Sequence, residues 1–253
     1  MLVLCYGIPK SGSTLAYELV TGILRTGGFD QPFICNDRVP AERVDPSTTR
    51  NYIERVTRDK IQDVLAKIRP EQKIVFKTHS PFPDGLFGWL EELQDGGQLQ
   101  VVASYRDPRD NSLSALDAGE RARKNGQGAF AKIATLDVAA KNIEARIKDF
   151  RKWAALRGTL RLYYDTVAFS PDVAIDAIEK VFNVTSDRER VKTYAFKEAK
   201  TQKNLARKER YKDELTKEQN ARLSVLFREF IKQACERDNQ AWYEKKRQRL
   251  IAK

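Results

Sequence analysis

The sequence predicts an α/β fold in which helices flank a mostly parallel central sheet. Short apolar runs, typical of buried strands, recur along the chain, and stretches with apolar residues at helical spacing separate them. Strands that are joined through helices in this way pair in parallel, because a parallel pair needs a crossover connection. The alternation continues along the chain, and neither an internal repeat nor a low-complexity segment interrupts it.

The predicted strands cover residues 2–6, 73–77, 100–105 and 160–164. Predicted helices cover residues 15–24, 47–68, 86–93, 130–156 and 171–182, and a last long helix follows the capping box from Thr216 to Gln219. A further helix is expected after the proline turn at 106–110, with Asp110 or Asn111 as its cap and Ser114 in its first turn. Residues 31–46 are expected to be irregular, and residues 120–127 are expected to form a basic loop.

Length and composition favour one globular domain over residues 1–253, since the chain is long enough for a sizeable α/β core and nothing resembling a linker divides it. No apolar run approaches the roughly 18 residues of a membrane span. Because the first predicted strand begins at residue 2, a signal peptide is not expected. The three cysteines are scattered without metal-ligand spacing, as expected of reduced thiols in a cytoplasmic protein.

The net charge of +11 is concentrated toward the C-terminus, where residues 200–253 carry 16 Lys and Arg against 8 Asp and Glu. Such an excess suits an anionic nucleotide, an acidic acceptor or nucleic acid, although a mixed charge run is often only a solvated helix face. No RNA- or DNA-binding signature accompanies it, so a nucleic-acid partner is not expected.

A polar loop, Pro9-Lys10-Ser11-Gly12-Ser13-Thr14, joins the first predicted strand to the first predicted helix. The N–H groups and the dipole of the helix N-terminus favour an anion there, and Gly12 lets the backbone approach it closely. The loop half-matches the pattern G-x-x-x-x-G-K-[ST], but its lysine, Lys10, lies inside the loop. We interpret the loop as a phosphate cradle for a donor whose transferred group carries less charge than a phosphoryl group; an ordinary polar turn is the alternative.

Two further groups of residues follow predicted strands, where parallel sheets bind ligands. His79, the single histidine of the chain, comes just after the second strand and is a candidate general base, with Lys77 projecting to the same side. After the third strand, Arg106 and Ser114 are expected to converge on one phosphate. A structural histidine and a surface Arg–Asp network are the corresponding alternatives.

Together these segments resemble the family of sulfotransferases that use 3′-phosphoadenosine 5′-phosphosulfate (PAPS), over most of the chain. Residues 9–14 resemble the family's 5′-phosphosulfate loop, and Lys77-Thr78-His79 resembles the segment that carries its catalytic base. Arg106 and Ser114, eight residues apart, resemble its 3′-phosphate motif. Residues 163–165 resemble the strand end whose tyrosine, here Tyr164, approaches the adenine, and residues 211–216 resemble the lead-in to the family's final helix.

This resemblance implies a P-loop-like sulfotransferase fold and metal-free transfer of a sulfuryl group from PAPS, leaving 3′-phosphoadenosine 5′-phosphate (PAP). His79 would act as the base, assisted by Lys10 and Lys77. The family's adenine-stacking aromatic after the loop is replaced by Leu15, and its Arg-Lys-Gly segment is missing in its usual form. The residues near enough in sequence to substitute for that segment on the 3′-phosphate are Lys203, Arg207 and Lys208. The 5′-phosphate would be bound by the loop amides together with Ser11, Gly12, Ser13 and Thr14.

Two other functions stay open at this point. A P-loop small-molecule kinase would require ATP and Mg²⁺, and the displaced lysine argues against it. A non-catalytic binder of nucleotides or polyanions would bind without turnover. The expected acceptor is a small molecule or a glycan that offers a hydroxyl or, less favoured, an amine. Phe82, Phe87 and Trp89 either line an apolar acceptor pocket or pack as core, and the sequence does not indicate the oligomeric state.

Overall fold

The computed structural model describes residues 1–45, 49–128, 130–199 and 206–235. They form a parallel sheet in the order β2-β3-β1-β4-β5, with helices against both of its faces, which confirms the predicted fold class. The strands are β1 (Leu2–Gly7), β2 (Tyr52–Ile53), β3 (Ile74–Thr78), β4 (Leu99–Tyr105) and β5 (Leu160–Tyr163).

The helices connect the strands and cover the sheet. They are α1 (Ser13–Thr26), α2 (Arg58–Leu65), α3 (Phe87–Asp95), α4 (Pro108–Lys124), α5 (Leu136–Trp153), α6 (Tyr164–Phe169), α7 (Pro171–Phe182), α8 (Arg188–Thr193), α9 (Arg210–Glu214), α10 (Lys217–Leu226) and α11 (Arg228–Phe230). A 3₁₀ turn covers Ala41–Arg43, and π-helical turns cover Tyr194–Glu198 and Ile231–Cys235. None of the helices in this part of the chain is long and apolar enough to cross a bilayer.

Strand β1 lies in the middle of the sheet and is buried along its whole length. Because successive side chains of a strand point to opposite faces, β1 contributes to two apolar cores. Val3 and Cys5 pack into the core that α1 and α7 cover, whereas Leu4 and Tyr6 pack into the core that α3 and α5 cover. Since β3 and β4 flank β1, the segments that follow these three strands meet at one edge of the sheet.

The helix predicted over residues 47–68 is wrong in its first half. Tyr52 and Ile53 instead form an edge strand that pairs with Lys77 and Thr78 of β3, and helix α2 begins only after Thr57, whose side chain caps it. Both strand residues are buried, so packing against the sheet outweighs the helical periodicity of the segment.

The predicted boundaries of α4 are also wrong. Asp107, rather than Asp110 or Asn111, caps the helix by accepting a hydrogen bond from the Arg109 backbone N–H (2.9 Å), and Pro108 takes the first helical position, where its missing N–H costs nothing. The helix continues to Lys124, so residues 120–124 are not a loop. Asp110 and Asn111 are therefore interior residues of the first turns and contact other parts of the chain.

The capping box of the C-terminal region is confirmed. Gln219 donates its backbone N–H to the Thr216 hydroxyl (3.1 Å), and the Gln219 side chain accepts from the Thr216 backbone N–H (3.0 Å). Apolar residues between positions 223 and 231 pack on the body of the protein, whereas Leu226 is exposed; the buried ones are Leu223, Phe227, Phe230 and Ile231.

Candidate functional site

A cleft of about 1510 Å³ opens where the loops after β1, β3 and β4 meet. This volume accommodates a nucleotide together with a second compound. The sequence-predicted residues that line it are Lys10, Gly12, Ser13, Thr14, Lys77, His79, Arg106, Ser114 and Tyr164. Within the described residues, no group of three or more His, Cys, Asp and Glu side chains could hold a metal ion.

The loop before α1 has a strained, compact conformation that leaves the helix N-terminus facing the cleft. Lys10 and Gly12 both have positive φ angles, of 70° and 80°. A Cβ atom on Gly12 would lie 2.4 Å from the Tyr164 ring, so only glycine fits beneath this ring. Among the described residues, no side chain caps α1. Its first N–H groups are therefore available to an anion.

Ser11 differs from the other loop residues. Its side chain is buried and donates a hydrogen bond to the Ser104 carbonyl (3.3 Å), and its backbone N–H bonds to the Ile8 carbonyl (3.0 Å). The side chain does not line the cleft. Ser11 therefore ties the loop to β4, and the Ser11 hydroxyl predicted to bind a phosphate has a structural partner instead.

Asn111 holds the loop from the opposite side. This residue of α4 is fully buried, and its side-chain NH₂, oriented toward the loop, donates to the carbonyls of Pro9 (3.0 Å) and Lys10 (3.1 Å). Sequence reasoning considered Asn111 only as a helix cap. Its actual role depends on the packing of α4 beside the loop, and no local sequence pattern indicates that.

Lys77 brings a cation to the start of α1. Its ammonium donates a hydrogen bond to the Thr14 hydroxyl (2.6 Å). Burial, together with nearby Arg50, lowers the pKa of Lys77 to about 8, although buried Glu18 opposes the shift. Glu18 in turn pairs with Arg50, which also lines the cleft, and accepts a hydrogen bond from the Tyr194 hydroxyl (2.7 Å). Lys77 is thus a cation that an incoming anion would stabilise.

His79 is held in one orientation by the end of β1. Its Nδ1 lies 2.6 Å from the Gly7 carbonyl oxygen. Because a carbonyl can only accept, we infer that Nδ1 carries the proton and that Nε2 keeps a lone pair. Burial, together with the charge of Lys77, lowers the pKa of His79 to about 3. The imidazole is therefore neutral near pH 7 and has the form that a general base requires.

Arg106 lies buried between charged and aromatic partners. Its guanidinium donates to Asp110 (3.0 Å) and to the Arg207 carbonyl (2.9 Å), and it stacks on the Tyr164 ring at 4.2 Å from the centroid. Its Nε is buried without a hydrogen-bond partner among the described residues. An unpaired buried N–H at the wall of the cleft is the kind of donor that a ligand anion would satisfy.

The three C-terminal candidates have different positions. Lys203 lies outside the described residues. The exposed Arg207 side chain pairs with Asp213 (2.8 Å), so only its carbonyl is directed toward Arg106. The Lys208 ammonium lies 4.9 Å from the centroid of the Phe169 ring, which lines the cleft. Lys208 is therefore the described candidate whose charged group lies against a side chain that lines the cleft.

Aromatic residues that the sequence did not single out also line the cleft. Phe169 packs edge-on against Tyr164, with ring centroids 6.0 Å apart, and Phe196 also lines the cleft, as does Leu15. Lys10 reaches toward Phe130, its ammonium 5.8 Å from the ring centroid. These aromatic rings therefore offer the flat surface that an aromatic residue in place of Leu15 would provide.

The possible aromatic acceptor pocket is not present, and the alternative of core packing holds. Phe82 and Phe87 are buried, and Phe82 packs edge-on against Trp153, with centroids 4.9 Å apart. The guanidinium carbon of Arg58 lies over the Trp89 ring, 4.6 Å from its centroid. None of the three residues lines the cleft.

No protein-family model matches the chain, and no curated protein matches it at a significant level. Among solved structures, the chain is similar to mouse sulfotransferase SULT7A1 complexed with PAP, at 12% identity and a TM-score of 0.49, over 96% of this chain and 88% of that one. It is also similar to a sulfotransferase from Alicyclobacillus acidocaldarius, at 14% identity and a TM-score of 0.38, over 73% of this chain and 81% of that one. These likenesses are distant, so the functional argument rests on the residues of the cleft.

Proposed function

We propose that the protein transfers a sulfuryl group from PAPS to a hydroxyl acceptor, or less favourably to an amine. The observation that carries the proposal is the neutral imidazole of His79, held through Nδ1 beside an open helix N-terminus and the cation Lys77. A kinase of the P-loop class is not favoured, because the lysine of the loop precedes the second glycine.

The donor fits the chemistry of the cleft at both of its phosphates. The N–H groups of α1, with the Thr14 hydroxyl and Lys10, suit the 5′-phosphosulfate. The Nε of Arg106, which has no hydrogen-bond partner among the described residues, suits the 3′-phosphate, and Ser114 also lines the cleft. Tyr164 and the neighbouring aromatic residues offer an apolar surface for the adenine. Lys208 is the C-terminal residue that we assign to the 3′-phosphate side.

The proposed reaction is an in-line displacement. The acceptor oxygen attacks sulfur while His79 Nε2 takes its proton, so that a new S–O bond forms. The bond between sulfur and the bridging oxygen breaks, and its electron pair stays on the 5′-phosphate of PAP. Lys10 and Lys77 stabilise the charge that develops on that oxygen.

The experiment measures transfer of ³⁵S from labelled PAPS to a panel of hydroxyl compounds, together with PAP affinity. In a His79→Ala variant, transfer is expected to fall about 10²–10⁴-fold, the usual contribution of a general base, while PAP affinity changes little. Normal turnover by His79→Ala would refute the role of His79. Lys148→Gln, an exposed substitution on α5 outside the cleft, serves as the control and is expected to keep full activity.

A further inference from the structure

The wall of the cleft beyond His79 carries two arginines from different elements. Arg38, in the segment between α1 and β2, lies over the Tyr52 ring at 4.3 Å, and the centroid of this ring is 6.2 Å from that of His79. Arg146 belongs to α5, and its carbonyl accepts a hydrogen bond from the hydroxyl of Tyr6, the neighbour of Gly7 (3.5 Å). Both arginines line the cleft. His79 therefore lies close to the positive charge of both arginines, in the cleft where an acceptor has to bind.

The acidic residues on this wall already have partners. Asp37 pairs with Lys60 (2.5 Å), and Glu54 pairs with Arg38 (3.4 Å). Arg146 has a weaker partner, since its guanidinium is 4.0 Å from Asp149 at the limit of an ion pair. The charge of Arg146 is thus the less compensated of the two arginines, and the donor does not require it, because Lys10, Lys77 and Arg106 serve that end of the cleft.

The same two arginines act on the base. After burial and Lys77, Arg38 and Arg146 are among the causes that lower the pKa of His79. A negative charge bound between them would oppose this effect and make Nε2 more basic. An anionic acceptor would thus improve both its own binding and the removal of its proton.

We propose that the acceptor of this site is an anionic hydroxyl compound, whose negatively charged group binds Arg146 and Arg38 while its hydroxyl faces His79. This inference rests on the proposed function. The acceptor would then bind to charged residues and not to an apolar pocket. The acceptor class narrows from hydroxyl compounds in general to hydroxyl compounds that carry a negative charge.

The test uses phenolic acids of three lengths, each paired with its neutral amide: 4-hydroxybenzoate, 4-hydroxyphenylacetate and 3-(4-hydroxyphenyl)propionate. With saturating PAPS at low ionic strength, at least one acid is expected to exceed its amide in kcat/KM by about tenfold or more, as charge-assisted hydrogen bonds allow. The ratio should shrink in high salt, because salt screens the attraction.

The Arg146→Gln variant is expected to lower kcat/KM for the preferred acid by about tenfold or more and to leave its amide nearly unchanged. Lys148→Gln, two residues away on the exposed side of the same helix, should leave both unchanged. Equal use of acids and amides, preference for the amides, no use of any acid, or an equal loss of both substrates in Arg146→Gln would each overturn the inference. Failure of the protein to bind PAP in a separate titration would instead refute the proposed function, so the two failures are distinguishable.

Discussion

The proton on Lys77 makes donor binding sensitive to pH in a way that can be calculated. Lys77 has a pKa of about 8 in the free protein, well below its ordinary value of 10.5. A bound 5′-phosphate next to Thr14 favours the charged ammonium and should raise this pKa back toward its ordinary value of 10.5. Binding at pH 8 should therefore take up about 0.5 proton, and binding at pH 9 about 0.9 proton.

The direction of the pH dependence follows from the pKa of Lys77 in the free protein and in the complex. Since the complex keeps the proton and the free protein loses it above pH 8, affinity must fall as the pH rises. The expected loss in PAP affinity between pH 7 and pH 9 is about tenfold, or about 1.4 kcal/mol. The phosphates of PAP are ionised throughout this range, because their second pKa is about 6.

Isothermal titration with PAP in buffers of different ionisation enthalpy measures the proton uptake directly. Lys10, whose pKa is also lowered by burial and by Arg121, contributes with the same sign, so a Lys77→Met variant is needed to isolate the larger part. The variant should bind PAP more weakly at pH 7 and lose most of the uptake at pH 9. Uptake that is absent in the unmodified protein, or that is equally large in Lys77→Met, would refute this reasoning.

Three further substitutions test the parts of the site. Gly12→Ala should lower PAP affinity and stability, because the added Cβ meets the Tyr164 ring and the φ angle of 80° is unfavourable; Gly85→Ala, at φ 74° in open space, should lower only stability. Asn111→Ala should destabilise the protein by about 2 kcal/mol or more in urea unfolding, since it leaves two loop carbonyls unpaired, and unchanged stability would contradict its bridging role. Phe82→Ala should cost about 3–5 kcal/mol of stability without changing the acceptor KM, whereas a selective rise in KM would return this residue to the acceptor site.

Local patterns in the sequence were enough to predict that the loop before α1, Lys77, His79 and Arg106 lie around one cleft. The apolar runs marked β1, β3 and β4, and the polar residues after a parallel strand lie at the same edge of the sheet. These polar residues lie close together because β1, β3 and β4 are neighbours in the sheet. The proximity of Lys77 and His79 to the loop could therefore be predicted from strand ends alone.

The positions of Arg38 and Arg146 could not be predicted in the same way. Arg38 and Arg146 are more than 100 residues apart, and neither belongs to a pattern that places it at a strand end. Their approach to His79 depends on how the edge strand β2 and helix α5 pack, and β2 itself was mistaken for helix because its two residues carry too little periodicity. The role of Phe82, Phe87 and Trp89 was also ambiguous in the sequence, because a buried core and an apolar pocket use the same residue types.

We propose that the cleft recognises a nucleotide that carries both a 5′-phosphate and a 3′-phosphate. The most direct measurement is isothermal titration of PAP against ADP and ATP, with and without Mg²⁺, in the unmodified protein and in Arg106→Gln and Ser114→Ala. Preference for PAP that needs no Mg²⁺ and weakens in both variants is the expected result. Preference for ATP with Mg²⁺, or PAP binding that neither variant weakens, would contradict the claim.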